Sequence, residues 1–193
     1  MTKKLLLSLA SLFLAYRSVE LLKFLDIVDP TQFTWIGVIA FSFALNLFIT
    51  GVFALLGFAF LTSRILPNSY YKVKNPEKLS CMYKILGVEH FKFLLLKFFW
   101  GKERNRKKYF NGTKNGLENF ETQTRQSEFG HLTSFIAILI VSIYILFKGY
   151  VVIFCITNLI NIIGNLYPII LQRNHRIQIA RLKLILEKRK LNI

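Results

Sequence analysis

Acidic residues are scarce in this 193-residue chain: 10 Asp and Glu stand against 26 Lys and Arg, a formal net charge of +16. The aspartates are only Asp26 and Asp29, so the clustered carboxylates that hold Mg²⁺ in phosphoryl-transferring lipid enzymes are missing. Cysteine is limited to Cys81 and Cys155, too few for a disulfide framework or a cysteine-built metal site. There is no glycine-rich phosphate loop, no Gly-x-Ser-x-Gly elbow and no paired-cysteine zinc motif. The absence with the largest consequence is that of charge over long stretches. No Asp, Glu, Lys or Arg occurs from Pro30 through Ser63, from Leu132 through Phe147, or from Gly149 through Gln172.

About 20 apolar residues cross the hydrocarbon core of a bilayer, so these runs predict membrane spans. With 53% of the chain hydrophobic and 15% aromatic, the reading is an all-α integral membrane helical bundle. It forms one membrane domain over 1–193, with spans at about 5–27, 33–61, 131–147 and 150–171. The first span must carry Arg17, Glu20 and Lys23, which fall near one helix face at three-residue spacing. The N-terminus has the basic and apolar regions of a signal peptide, but Phe13-Leu14-Ala15 puts a bulky residue where cleavage needs a small one, and a retained span is expected. Within the second span Asn46 and Gly51 are candidate kink or packing positions. Lys148-Gly149 predicts a turn that makes the last two spans an antiparallel hairpin.

Loop charge sets the expected orientation. Arg64 to Glu128 holds 14 Lys or Arg against 6 acids, and Arg173 to the C-terminus holds 7 against 1. Both segments therefore belong in the cytoplasm, with both termini, and Asp26, Asp29 and Lys148 belong on the far side. A cell membrane protein with this charge would meet anionic lipid rather than nucleic acid, because the basic residues flank apolar runs instead of forming a soluble basic domain. Inside the 64–130 loop, Tyr83 to Trp100 is too charged for a span and too apolar for water, which predicts an interfacial or re-entrant segment. A basic run at 101–108 follows it. Asn111-Gly-Thr113 and Asn115-Gly116 then predict turns before a short polar helix from Leu117 to Gln126. The Asn111 sequon is silent in a cytoplasmic loop. The tail, 173–193, shows no clean apolar stripe.

Two constellations carry chemistry. Glu128 and His131 stand three apart at the mouth of the third span and share a helix face, where a carboxylate can fix an imidazole tautomer and stabilise its protonated form. Such an imidazole could deprotonate a hydroxyl for attack on an activated acyl group. The plainer alternative is a helix-start acid and an interfacial anchor. A Glu-x-x-His step also occurs in di-iron bundles, but neither His90 nor His175 has a Glu three residues earlier, so no metal is expected. The second constellation is Asn158, Asn161 and Asn165 at helical spacing, leading to Tyr167-Pro168 and Gln172-Arg173-Asn174-His175-Arg176. The amides could glue helices together or line a polar seam for a glycosylated substrate. Arg173 and Arg176 suit a phosphate or an anionic headgroup. His90 reads as an interfacial residue and is retained, with Asn165, among the substrate-binding candidates.

Four ordered features carry a resemblance: the exit from Leu66-Pro67 to Tyr71, the segment from Glu89 to Trp100, the stretch Thr124-Arg125 to Glu128-x-x-His131, and Tyr167-Pro168-Ile-Ile-Leu171-Gln172-Arg173-Asn174-x-Arg176. With the basic tail that follows, they cover roughly Arg64 to Lys190. They resemble the small membrane acyltransferases of staphyloxanthin-type carotenoid biosynthesis, which acylate glycosyl-diaponeurosporenoate. The chain departs from them at Leu132, where a Trp is usual, at Phe129-Gly130, and in its long N-terminal span. The resemblance implies transfer of a fatty acyl group from acyl-CoA or an acyl carrier thioester, as co-substrate rather than bound cofactor, to a sugar hydroxyl of a lipid-like glycosylated acceptor. It assigns the base role to Glu128 and His131, and the polar or phosphate part of a substrate to Gln172, Arg173, Asn174 and Arg176. The competing reading is a non-enzymatic lipid-binding or assembly protein whose basic residues only grip headgroups.

Overall fold

The structure, a computed structural model, describes residues 2–97 and 114–191. The end of the aromatic segment at 98–100, the basic run 101–108 and the Asn111 sequon lie outside the described residues. Among the described residues there are helices and no strand. The long helices are α1 (Thr2–Phe24), α2 (Trp35–Ala59), α6 (Lys114–Phe147), α7 (Val151–Asn161) and α8 (Tyr167–Leu191), with a π-helical segment at Ile162–Leu166 between the last two. Among the described residues between α2 and α6 are the short α-helices α3 (Asn68–Tyr71), α4 (Pro76–Ile85) and α5 (Val88–Leu95).

Four stretches are long and apolar enough to cross a membrane: Thr2–Phe24, Trp35–Ala59, Gly116–Phe147 and Val151–Lys188. The chain is a multi-pass membrane protein. The first segment is helical from Thr2 to Phe24 and turns over 25–27, short of the expected limit, and Arg17 pairs with Glu20 one turn away. The last two helical stretches run well past the expected span limits. At about 1.5 Å per residue, the 34 residues of α6 extend about 50 Å, against a hydrocarbon thickness of about 30 Å. Its polar first turns therefore need not enter the apolar core. Asn115-Gly116, expected as a turn, is already helical, and the polar helix expected at 117–126 is continuous with the third span.

Contacts divide the chain into two compact units, Met1–Thr62 with Phe129–Pro168, and Ser63–Glu128 with Ile169–Ile193. In the first unit, Thr34 caps α2 by accepting from the Gly37 amide at 3.2 Å. Gly51 lets α1 approach α2: a Cβ there would lie 2.6 Å from Leu14 Cδ1, the use of small residues usual between membrane helices. Close by, Ser11 donates to the Val52 carbonyl at 3.1 Å. Asn46 joins α2 to α7, donating to the carbonyls of Ser42 (2.9 Å) and Thr157 (3.1 Å). The interhelical bond to Thr157 is worth about 0.6 kcal/mol in a membrane. Gly51 and Asn46 are thus packing positions.

The loop end of this unit is closed by aromatic and ionic contacts. The Phe33 ring meets Phe24, Phe41 and Tyr150 edge-on, and the Tyr150 hydroxyl donates towards the carbonyls of Leu25 and Val28. Lys148 pairs with Asp26 at 2.7 Å, and Tyr144 donates to the same carboxylate at 3.0 Å. The Lys148-Gly149 turn is as expected, with Gly149 at φ +87°, a conformation that favours glycine.

In the second unit, Pro76 opens α4 at a position where its missing N–H costs nothing. Gly87, at φ +68°, separates α4 from α5. The apolar faces of these two helices gather Leu79, Tyr83, Val88, Phe91 and Leu95 against Leu171 and Ile177 of α8. The 83–97 part of the proposed interfacial segment is therefore two helices seated on the C-terminal one. The tail is also less featureless than its sequence: it is helical to Leu191, with Ile177 and Ile179 buried.

Candidate active site

Within the first unit, His131 lies on α6 and Asn161 and Asn165 lie on the α7–π stretch. Asn161 Nδ2 donates to the Phe135 carbonyl at 3.1 Å. A carbonyl oxygen can only accept, so the nitrogen side of Asn161 is fixed and its Oδ1 points the other way. That Oδ1 accepts from Asn165 Nδ2 at 3.0 Å, and Asn165 Nδ2 also reaches Thr50 Oγ1 at 3.1 Å. Asn165 then presents its own Oδ1 to His131 Nδ1 at 3.0 Å. Because this oxygen accepts, Nδ1 carries the proton, and the neutral imidazole keeps its lone pair on Nε2. A run of three acceptor–donor contacts starting at one backbone carbonyl thereby selects the tautomer in which Nε2 is the base.

In the second unit, Glu128 on α6 is fully buried, at 0% exposure, among cations. Arg173 Nε donates to its Oε1 at 2.9 Å, and Arg176, itself only 5% exposed, pairs with its Oε2. Arg173 also donates to the Tyr70 hydroxyl at 2.8 Å and lies 5.1 Å from that ring's centre. Arg176 and Arg125 both sit over the Tyr71 ring, at 5.2 and 5.1 Å, contacts worth about 0.5–2 kcal/mol each. Arg125 in turn bonds Asn68 and Glu121, both at 2.6 Å, and Lys183 pairs with Glu121. Burial, followed by the Glu128 charge, pushes the Tyr71 phenol up to about 12. Tyr70 is raised for the same two reasons. Both remain neutral hydroxyls, and Tyr71 donates to the Arg125 carbonyl at 3.4 Å.

The sequence candidates therefore separate into two groups. Both carboxylate oxygens of Glu128 are engaged by arginines, and the imidazole of His131 takes its orientation from an amide. Their three-residue spacing gave a shared helix face, while the partners come from residues 34 to 48 positions further along the chain. Asn165, expected to touch substrate, is buried and satisfied by Thr50, Asn161 and His131. Gln172 is half-buried and Asn174 buried beside Arg173 on α8. His90 is exposed on α5, outside both groups. The residues not foreseen are Asn161 as the anchor of the amide chain and Tyr70, Tyr71 and Arg125 around Glu128. Arg125 was detectable in principle, since it precedes Glu128 by three positions. Among the described residues no group of three or more His, Cys, Asp or Glu side chains could hold a metal ion.

A family described as glycosyl-4,4'-diaponeurosporenoate acyltransferase matches residues 67–184 of the chain, within the 64–190 stretch that carried the sequence resemblance. No curated protein and no solved structure matches it.

Proposed function

From the premise that the chain belongs to the glycosyl-4,4'-diaponeurosporenoate acyltransferase family, and is thus an acyltransferase of carotenoid biosynthesis, we propose the following reaction. A fatty acyl group moves from a coenzyme A or acyl-carrier thioester to a sugar hydroxyl of a glycosylated carotenoid or related glycolipid. His131 Nε2 takes the hydroxyl proton as the sugar oxygen attacks the thioester carbonyl. The tetrahedral adduct then expels the sulfur, and the imidazolium returns the proton to it, leaving an ester and a free thiol. The observation that carries this reading is the directed amide chain Phe135–Asn161–Asn165–His131, which leaves Nε2 unprotonated. Asn165 fills the orienting role first sought in Glu128, and Glu128 holds Arg173 and Arg176, which with Gln172 and Asn174 receive the polar or phosphate part of a substrate.

The excess of Lys and Arg in the loops supports a cytoplasmic location for the basic second unit and both termini, at the cell membrane, where soluble thioesters are available. His131→Ala tests the base directly. The variant is expected to purify folded in detergent, with no acyl transfer. Full activity in that variant would remove His131 from the mechanism. Pigment and lipid profiles of cells with and without the chain identify the acceptor as the species whose acylated form disappears.

A further inference from the structure

Among the described residues, the ionic group around Glu128 is not electrically closed. Glu121 is shared by Arg125 and Lys183, and Glu128 by Arg173 and Arg176. Four cations thus meet two carboxylates, leaving a surplus of two positive charges. Donors are left over as well. Arg176 Nε and Nη1 and Arg125 Nε are buried without a hydrogen-bond partner among the described residues. The Tyr71 ring gathers the guanidinium groups of Arg125 and Arg176 onto one platform, and like charges held this close repel unless an anion joins them. Arg173, with its side chain 37% exposed, leaves a way in.

We propose that Arg125, Arg173 and Arg176, held on Tyr70 and Tyr71, seat a phosphate group carrying about two negative charges, and that this phosphate belongs to the acyl donor. A phosphate monoester or a diphosphate matches both the charge surplus and the unfilled guanidinium donors, since guanidinium N–H groups bind phosphate oxygens in pairs. A neutral sugar could accept from these donors but would leave the charge surplus uncompensated. The assignment to the donor rests on the thioester-dependent reaction above, whereas the phosphate seat itself does not.

Binding is measured on the full chain in phosphatidylcholine nanodiscs with two probes, coenzyme A and pantetheine, which lacks phosphate. Coenzyme A is expected to bind and pantetheine to bind at least about tenfold more weakly, with Arg176→Met weakening coenzyme A by a similar factor. Arg125→Met, which leaves Glu121 paired with Lys183, serves as the second variant if Arg176→Met melts early. His131→Ala is expected to keep coenzyme A binding, so loss of catalysis and loss of the seat are read separately. Equal binding of pantetheine and coenzyme A, or unchanged coenzyme A binding in both arginine variants, overturns the proposal. Should only nanodiscs containing phosphatidylglycerol stabilise the wild type, and not the arginine variants, the phosphate is a headgroup and the donor assignment falls.

Discussion

Replacing Glu128 by Gln removes the negative charge from a fully buried position while keeping its shape, and leaves Arg176, 5% exposed, facing an amide. Breaking a buried ion pair from one side costs about 3–5 kcal/mol, because the surviving charge stays out of water without compensation. Arg173 adds little to this figure, since its side chain is 37% exposed and such pairs contribute about 0–1 kcal/mol. The whole cost therefore falls on Arg176. For a chain of this length about 3–5 kcal/mol corresponds to a drop in melting temperature of about 6–20 °C, measured by thermal scanning in detergent. The double variant Glu128→Gln/Arg176→Met removes the stranded charge as well. It is expected to melt above the value obtained by adding the two single losses, a coupling of about 0.5–3 kcal/mol. A Glu128→Gln protein that melts within about 2 °C of the wild type refutes the argument, as does strict additivity in the double variant. A shifted pH–rate profile with unchanged melting would instead return Glu128 to the side of His131.

The Lys148 and Tyr144 contacts hold the Asp26 carboxyl below its ordinary range. Its contribution is thus present above the unfolded carboxylate pKa and lost as pH falls through the lowered folded value. The melting difference between wild type and Asp26→Asn should be visible at neutral pH and vanish in acid; a difference that persists in acid would contradict this. Reporter fusions at the two ends test the charge-based orientation. Both are expected to report the cytoplasm, and a split result would mean that one of the four apolar helices does not cross.

The membrane architecture was legible because a continuous run of about 20 apolar residues is long enough to cross the hydrocarbon core, and a helix satisfies its own backbone there. The limits of the helices were not, because the helix does not end where the hydrocarbon does. The polar helix expected over 117–126 runs unbroken into the third span, and Arg173–Leu191 stays helical in basic sequence where hydropathy gives no signal. The turn at Lys148-Gly149 was readable from glycine chemistry, whereas the π segment at Ile162–Leu166 leaves no trace in residue type. In the candidate site, sequence picked out Glu128, His131, Asn165, Arg173 and Arg176 as residues out of keeping with their surroundings. It could not pair them, because spacing along one helix says which residues share a face and nothing about which side chain approaches that face from another helix. The burial of the tail left no sequence signal for a related reason. Ile177 and Ile179 are buried on different sides of α8, so no single stripe marks them.

The pairing of Glu128 with Arg173 also sets an order of events during synthesis. The two residues are 45 positions apart, so at about 5–20 residues per second the carboxylate waits about 2–9 s for its first arginine. In that interval α6 holds an acid with no counter-charge at the place the folded protein buries it. The acid must stay hydrated or take up a proton until the last part of the chain arrives. The second unit is built from two segments separated in the sequence, so Glu128 meets its arginines only when the helix that carries them has been made. Truncation before Arg176 should therefore yield not a shortened enzyme but a chain with an exposed defect, one that quality-control proteases can recognise.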